Sequence, residues 1–395
     1  METIEQEPDT QWREVEAIDI SLEMPVPYYL CYDKTNALAK KIRENHFDKV
    51  FVFSCNSVEN IYGAELKKAL HDRNVPYEFR IINDKEHEKC FSNLNNICEY
   101  LIENDVSRDS ILLAFGGGVV GNIVGLAAAL IFRGIRYIEV PTTFMSQTDS
   151  TLSNKQGING NNGKNQFGTY YAPLFVWSDI KYLKTEGAHN RRSGLVEAIK
   201  NGLISDKEYL QNLEVILKRG IGVSDRGLHN IVKSAILSKV KILKKDPSEK
   251  SYAIVLEYGH TFGHALEWLS KGQLNHGEAV AIGMCMAAEL SSQLNILSSE
   301  EHFYHYSILR DVLEMPMEVP AHITTDDILK TIRSDNKKKA RGVKYVLLDR
   351  HGSVHNPDGD FMVSVEENRV RRVLNNFVGK NKSMSSFDQE QVAIS

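Results

Sequence analysis

An apolar run, SILLAF (Ser110–Phe115), passes straight into Gly116-Gly117-Gly118 and then into GNIVGLAAALIF. No other feature constrains the fold as much. The run is short and apolar on both faces, as in a buried strand, and the segment after the glycines reads as a helix starting near Gly121. Glycine between the two removes the Cβ that would keep a pyrophosphate at a distance, and the N–H groups of the helix would point at that charge. The pattern GGGVVGN departs from the usual dinucleotide fingerprint. Taken alone, it suits a tight strand–helix turn as well as an anion-binding turn.

The same alternation surrounds this junction. KVFVFS (Lys49–Ser54), YEFRII and YIEVP (Tyr137–Pro141) are strand-like, and GAELKKALHDR and FSNLNNICEYLIEND are helix-like. Strand–helix–strand alternation predicts an α/β domain with a parallel sheet. After about residue 180 helical periodicity takes over, in SGLVEAIKNGLI, LHNIVKSAILSKVKIL, GHTFGHALEWLS, HGEAVAIGMCMAAELSSQL and YHYSILRDVLEM, with VKYVLLD as one late strand. A boundary is expected near Asp179. The chain of 395 residues, 42% apolar, has material for two cores. A net charge of −5 argues against a general nucleic-acid binder, so an anionic ligand would need a local group of Lys and Arg. Five cysteines with no CxxC spacing argue against a disulfide framework and fit a reducing cytosol. No signal-peptide pattern is visible, and IVGLAAALIF (Ile123–Phe132) is too short to span a bilayer. A cytoplasmic protein without a membrane or nucleic-acid partner is expected.

Several motifs carry chemistry. NKQGINGNNGKNQFG (Asn154–Gly168) reads either as a flexible surface loop or as an anion cradle made of backbone N–H groups, Lys155 and Lys164. Pro141-Thr142-Thr143 closes a strand, where hydroxyls face the ligand crevice of an open α/β sheet; turn chemistry with a helix cap is the plainer reading. Glu197 and Lys200 share a helical face among Leu195, Val196, Ala198 and Ile199, and a carboxylate in such company needs a cation. His260 and His264 are spaced i,i+4, and His276 opens the next helix. Three histidines and a glutamate suggest a metal site, against the alternative of histidines hydrogen-bonded in a core. Spacing alone pairs His260 with His264.

GGGVVGN, FRG, VPTT, the KQGIN and GKN segments, EAIKNGLI, EYGHTFGHALE and NHGEAVAIGM occur together and in order over roughly residues 45–350. In this the chain resembles the sugar phosphate cyclases of the 3-dehydroquinate synthase type. The resemblance implies a Rossmann-like α/β NAD domain over residues 21–179 and an all-α domain over 180–375 that binds substrate and a divalent metal, Zn2+ or Co2+. Residues 1–20 and 376–395 read as flexible tails. It further implies Glu197, His260 and His276 as metal ligands, which moves His264 to the substrate. Lys155, Asp149, Lys200, Glu257 and His264 match catalytic positions, and Asn165, Lys239 and Lys337 match substrate contacts, with Lys241 as a neighbour of Lys239 that could take its role. Arg133 matches an arginine that reaches a neighbouring subunit, which implies a homodimer. Glu86, Lys89, Gly117, Gly118, Asn122, Thr142, Thr143 and Lys164 fall at NAD positions.

Departures from the 3-dehydroquinate synthase pattern point to one branch. Ala253 replaces an arginine for the substrate carboxylate, Glu257 replaces an asparagine and Asn122 replaces an aspartate. All three resemble the 2-deoxy-scyllo-inosose synthase branch. Glucose 6-phosphate has no carboxylate, so an arginine there would be a buried unpaired cation, whereas a sugar hydroxyl can donate to Glu257. Cys55 stands where relatives have an aspartate near the adenosine. The implied reaction is transient oxidation at C4, β-elimination of phosphate, reduction and intramolecular aldol closure. Other cyclase substrates, sedoheptulose 7-phosphate or the 3-dehydroquinate precursor, and a metal-dependent alcohol dehydrogenase of the glycerol dehydrogenase type are the alternatives.

Overall fold

The computed structural model describes residues 26–161, 163–218, 225–246, 249, 251–334 and 343–378. Lys337 and the expected tail over residues 1–20 lie outside this set. Six parallel strands form one sheet in the order β1-β8-β5-β4-β2-β3. They are β1 (Tyr28–Cys31), β2 (Val50–Ser54), β3 (Tyr77–Ile81), β4 (Ile111–Gly116), β5 (Arg136–Pro141) and β8 (Val176–Asp179). Strands β2, β4 and β8 are buried at every residue, as a sheet covered on both faces requires. Their runs VFVFS, ILLAFG and VWSD accordingly show little polar alternation.

From β2 the chain moves outward to β3, then returns to place β4 on the other side of β2 and β5 beyond it. The carboxyl ends of β2 and β4 therefore flank the switch point of the sheet, where open α/β folds bind ligands. The glycine run lies there. The helix after it spans Gly118–Leu130, three residues earlier than the pattern suggested, with Gly117 as an extended N-cap. A Cβ on Gly116 would come within 2.6 Å of Val120, so the turn tolerates no side chain at that position.

The segment expected to be a loop is a β-hairpin. Strands β6 (Lys155–Gly160) and β7 (Gly163–Tyr170) pair antiparallel. Its inward residues Gln156 and Ile158 are buried. The glycines hide the alternation, because Gly157 and Gly168 face each other where a Cβ on Gly168 would lie 2.2 Å from the Gln156 carbonyl.

Helices dominate after residue 187: Ala188–Ser205, Lys207–Lys218, Asp225–Leu243, His260–Leu269, His276–Gln293, Ser299–Tyr306, Thr325–Ser334 and Glu367–Phe377. The last helix runs two residues past the expected boundary at 375, and Phe377 is buried. This part is not purely helical. VKYVLLD divides into Lys344–Tyr345 and Leu348–Arg350, each in its own two-stranded antiparallel pair. YHYSILRDVLEM also divides, with a π-helical turn over Ser307–Val312 after the helix ends at Tyr306.

One seam in this part sets the site. The His260–Leu269 and His276–Gln293 helices meet through glycine. A Cβ on Gly283 would lie 2.2 Å from the Gly259 carbonyl, and Gly259 itself has φ +77°. Close contact at that crossing brings the first residues of both helices together. The large core of the helical part also takes in Phe144, Ile180 and Leu183, so it grips the end of the sheet region.

Glu139, in the middle of β5, is 4% exposed, and its Oε2 has no hydrogen-bond partner. Burial pushes its carboxyl up to about 7 from 4.5. An acid raised in this way stays protonated in the fold while the unfolded chain ionises, so its contribution is present in full below the unfolded value and is lost as pH rises from there through the folded value. We expect wild-type stability to fall by about 2 kcal/mol from this group between pH 5.5 and 8. Urea unfolding of Glu139→Gln at the two pH values should lack that difference.

Candidate metal centre and active-site cleft

Three side chains converge between the helices. Glu197 sits in the middle of the Ala188–Ser205 helix and is buried, and His260 and His276 are the first residues of their helices. Glu197 Oε1 lies 3.5 Å from both His260 Nε2 and His276 Nε2. One ligand atom from each of the three residues falls within 4.8 Å of the others. Glu197 Oε1 is buried and has no hydrogen-bond partner.

The tautomer of His260 follows from its surroundings. Its Nδ1 is 3.1 Å from the Tyr258 carbonyl, which can only accept, so Nδ1 carries the hydrogen and Nε2 offers a lone pair. Burial, reinforced by the Lys200 ammonium, pushes His260 down to about 4 and keeps it neutral. His276 Nδ1 is 3.1 Å from Glu267 Oε2. Burial would lower His276, but Glu267 and Glu197 outweigh it and raise it to about 10, so a metal would displace the proton from its Nε2. Two imidazoles, a carboxylate with a free oxygen and partners behind the rings are the donor set of a divalent metal with open positions. The residues fit such an ion.

His264 stands one turn beyond His260, with ring centres 5.1 Å apart, and lies outside the trio. The pair suggested by i,i+4 spacing is close in space, but the ligand atoms that gather within 4.8 Å are those of Glu197, His260 and His276.

Lysines surround the trio. Lys200, 2% exposed, is 2.5 Å from Glu197 Oε2. Burial alone would lower Lys200 and raise Glu197. Their mutual attraction outweighs it, so Lys200 is raised and Glu197 is held well below the carboxylate range. Lys239 Nζ is 2.7 Å from Asp149 Oδ1, and Lys155 pairs with Glu249. Lys241 pairs instead with Asp206 at an exposed position, which leaves Lys239 as the cleft lysine. Glu257 is close enough to Lys155, Lys200 and His260 to favour their protonated forms. Ala253 is buried, and its N–H donates to Asp246.

The residues that the resemblance matches to NAD form a second group at the switch point. Lys89 is buried and donates to Asn122 at 2.9 Å and Asn165 at 2.7 Å. Lys164 is 3.4 Å from Glu86 and 2.6 Å from Glu267. Asn165, matched above to a substrate contact, thus joins this group. Gly117 and Gly118 begin a helix with no side-chain cap, and the hydroxyl of Ser150, beside Gly118, is buried without a partner. Uncapped N–H groups at a glycine turn fit a pyrophosphate. Thr142 is buried, and Thr143 forms a capping box with Ser146. Cys55 follows β2 at the same crevice, and burial raises its thiol.

Arg133 is exposed beyond the far end of the Gly118–Leu130 helix, roughly 20 Å from the glycine turn at 1.5 Å per residue. It does not join its own chain's cleft.

Comparisons with known proteins agree with this architecture. Residues 79–193 match the family described as 3-dehydroquinate synthase N-terminal, and residues 194–338 match 3-dehydroquinate synthase C-terminal. The chain belongs to the 3-dehydroquinate synthase family of sugar phosphate cyclases. It is 33% identical to a 2-deoxy-scyllo-inosose synthase of Micromonospora echinospora over 88% of this chain and 89% of that protein. It is 35% identical to a 3-dehydroquinate synthase of Thermodesulfovibrio yellowstonii over 83% and 90%. A crystal structure of 2-deoxy-scyllo-inosose synthase with carbaglucose-6-phosphate, NAD+ and Co2+ superposes with a TM-score of 0.82 at 28% identity, covering 89% of this chain and 96% of that one. Among the described residues, no helix is long and apolar enough to cross a membrane.

The family pattern left some partners of the site unread. Glu267 follows His260 by seven residues and so shares its helical stripe, a signal present in the sequence. The Tyr258 carbonyl and Glu249 carry no such signal, since one is backbone and the other reaches the site only through tertiary packing.

We expect one Co2+ or Zn2+ per chain, removable by chelator. Glu197→Gln and His276→Ala should each weaken metal binding by at least about a hundredfold in equilibrium titrations. At a hundredfold excess over Kd the ion should add about 3 kcal/mol to unfolding stability.

Proposed function

We propose that this chain converts glucose 6-phosphate to 2-deoxy-scyllo-inosose with release of phosphate, holding NAD at the switch-point crevice and a divalent metal at Glu197, His260 and His276. The observation that carries the choice is the pairing of buried Ala253 with Glu257 beside Lys155 and Lys200. Overall identity does not separate the branches, since relatives of both kinds lie near one third identical. Local charge does. A substrate carboxylate would meet Glu257 and no arginine at position 253, whereas a sugar hydroxyl could donate to Glu257.

When bound, the metal would supply Lewis acidity toward a sugar oxygen and the nicotinamide would supply reversible hydride uptake. The residues of the chain do the rest. Glu197 and Lys200 fix each other, so the Lys200 ammonium stays charged in a buried place where a phosphate or alkoxide gains most from it. Lys155 and His264 add donors for the departing phosphate. Asp149 and Lys239 hold one another at the sugar-facing side, where a carboxylate can accept from a hydroxyl. Lys89, Asn122, Glu86 and Lys164 hold the nucleotide from the sheet side.

The class of reaction is that of a carbon–oxygen lyase acting on phosphates, in aminoglycoside biosynthesis. We read Arg133 as supplied to a second copy of the chain, because it is exposed and distant from its own cleft, with Leu130 and Phe132 exposed beside it.

The test is phosphate release from glucose 6-phosphate, sedoheptulose 7-phosphate and the 3-dehydroquinate precursor, with NAD and Co2+. Release from glucose 6-phosphate with no net NADH is expected. Turnover of either heptulose-derived substrate alone would overturn the substrate choice, and steady NADH accumulation would favour a dehydrogenase. Lys200→Met should lower kcat by roughly 10²–10³-fold.

A further inference from the structure

We propose that Glu267 is a positioning residue that couples nucleotide binding in the crevice to metal binding at the trio. This rests on the reading above of the trio as a metal centre and of Glu86, Lys89 and Lys164 as nucleotide contacts. Glu267 lies on the His260–Leu269 helix with its side chain 8% exposed. Its two oxygens face opposite parts of the protein. Oε2 is 3.1 Å from His276 Nδ1, and Oε1 is 2.6 Å from Lys164 Nζ. Lys164 belongs to β7, across the cleft, and is also 3.4 Å from Glu86 Oε1. Lys89 is 3.7 Å from the same Glu86 oxygen and bonds Asn122 in the Gly118–Leu130 helix. One unbroken series of polar contacts therefore runs from the glycine-turn helix to the imidazole whose other nitrogen faces Glu197.

Each link has a physical consequence. A carboxylate on Nδ1 fixes the ring of His276, directs Nε2 toward Glu197 and makes that nitrogen a stronger donor to a metal. Lys164 divides its charge between Glu267 and Glu86. A nucleotide that engages Glu86 or Lys89 changes how much of Lys164 is available to Glu267, and through Glu267 the orientation of His276. Coupling of this kind is reciprocal, so the metal tightens the nucleotide by the same factor. A glutamate that only braced its helix would hold the fold without linking the two ligands.

The experiment is Co2+ titration of the full chain, followed by the visible absorption of bound cobalt, with and without NAD+. In the wild-type protein NAD+ should tighten Co2+ about fivefold or more. Glu267→Gln should weaken Co2+ about 10- to 100-fold and abolish the NAD+ effect. Lys164→Met, titrated with NAD+ raised until the variant is saturated in a separate NAD+ binding measurement, should keep Co2+ affinity within about threefold without NAD+ and show no tightening when NAD+ is bound. If Glu267→Gln fails to fold by circular dichroism, Lys164→Met carries the test alone. An NAD+ effect absent from the wild type, or undiminished in Lys164→Met, overturns the coupling and leaves the metal centre standing. A wild-type chain that takes up no Co2+, or a Glu197→Gln variant that takes it up equally well, overturns the metal-centre reading and the coupling with it.

Discussion

The arrangement of the cleft depends on one buried carboxylate. Glu197 is taken out of water in the middle of an apolar helix, and a charge in that position persists only if cations surround it. Lys200 supplies one on its own helix, at 2.5 Å. The remaining oxygen faces two imidazoles at 3.5 Å, each the first residue of a helix. Everything that brings those two helix starts together serves this carboxylate. The glycine contact between Gly283 and Gly259 sets the closeness of the helices, and the Tyr258 carbonyl and Glu267 set the ring orientations.

Much of the sheet was legible because its strands are buried on both faces and so appear as uninterrupted apolar runs. Strands β2 and β4 are of this kind. The β6–β7 hairpin was not, since its glycines remove the side chains that would have shown a period of two. VKYVLLD was misread for the opposite reason. It has a strand's composition, but each half pairs with a different short partner, and composition does not encode pairing. The trio was legible only in part. Periodicity placed three histidines and a glutamate in one region, yet spacing along a single helix favoured His264 over His276, and it is tertiary packing that sets Glu197 3.5 Å from His260 and His276.

The cleft is built from both halves of the chain, and three of its contacts join them. Asp149 meets Lys239, Lys155 meets Glu249 and Lys164 meets Glu267, each pairing a residue of the sheet region with one of the helical region. These are the positions that the family resemblance marks for substrate or nucleotide on at least one side. On the proposed reading, the charges that would recognise ligands also hold the two halves in register, so binding and the relative placement of the halves would draw on the same groups. Double-mutant cycles across the cleft would apportion the two roles.

A consequence follows for how an anion finds its way in. Because each of these lysines already has a carboxylate within the chain, the cleft would project only a modest field into solvent despite its density of cations. Long-range attraction then contributes little to capture, and discrimination falls to the last few ångströms, where a visitor must offer each ammonium more than its resident partner does. A pocket of this type is selective by exchange of partners, and indifferent to anions that can bring charge but not geometry.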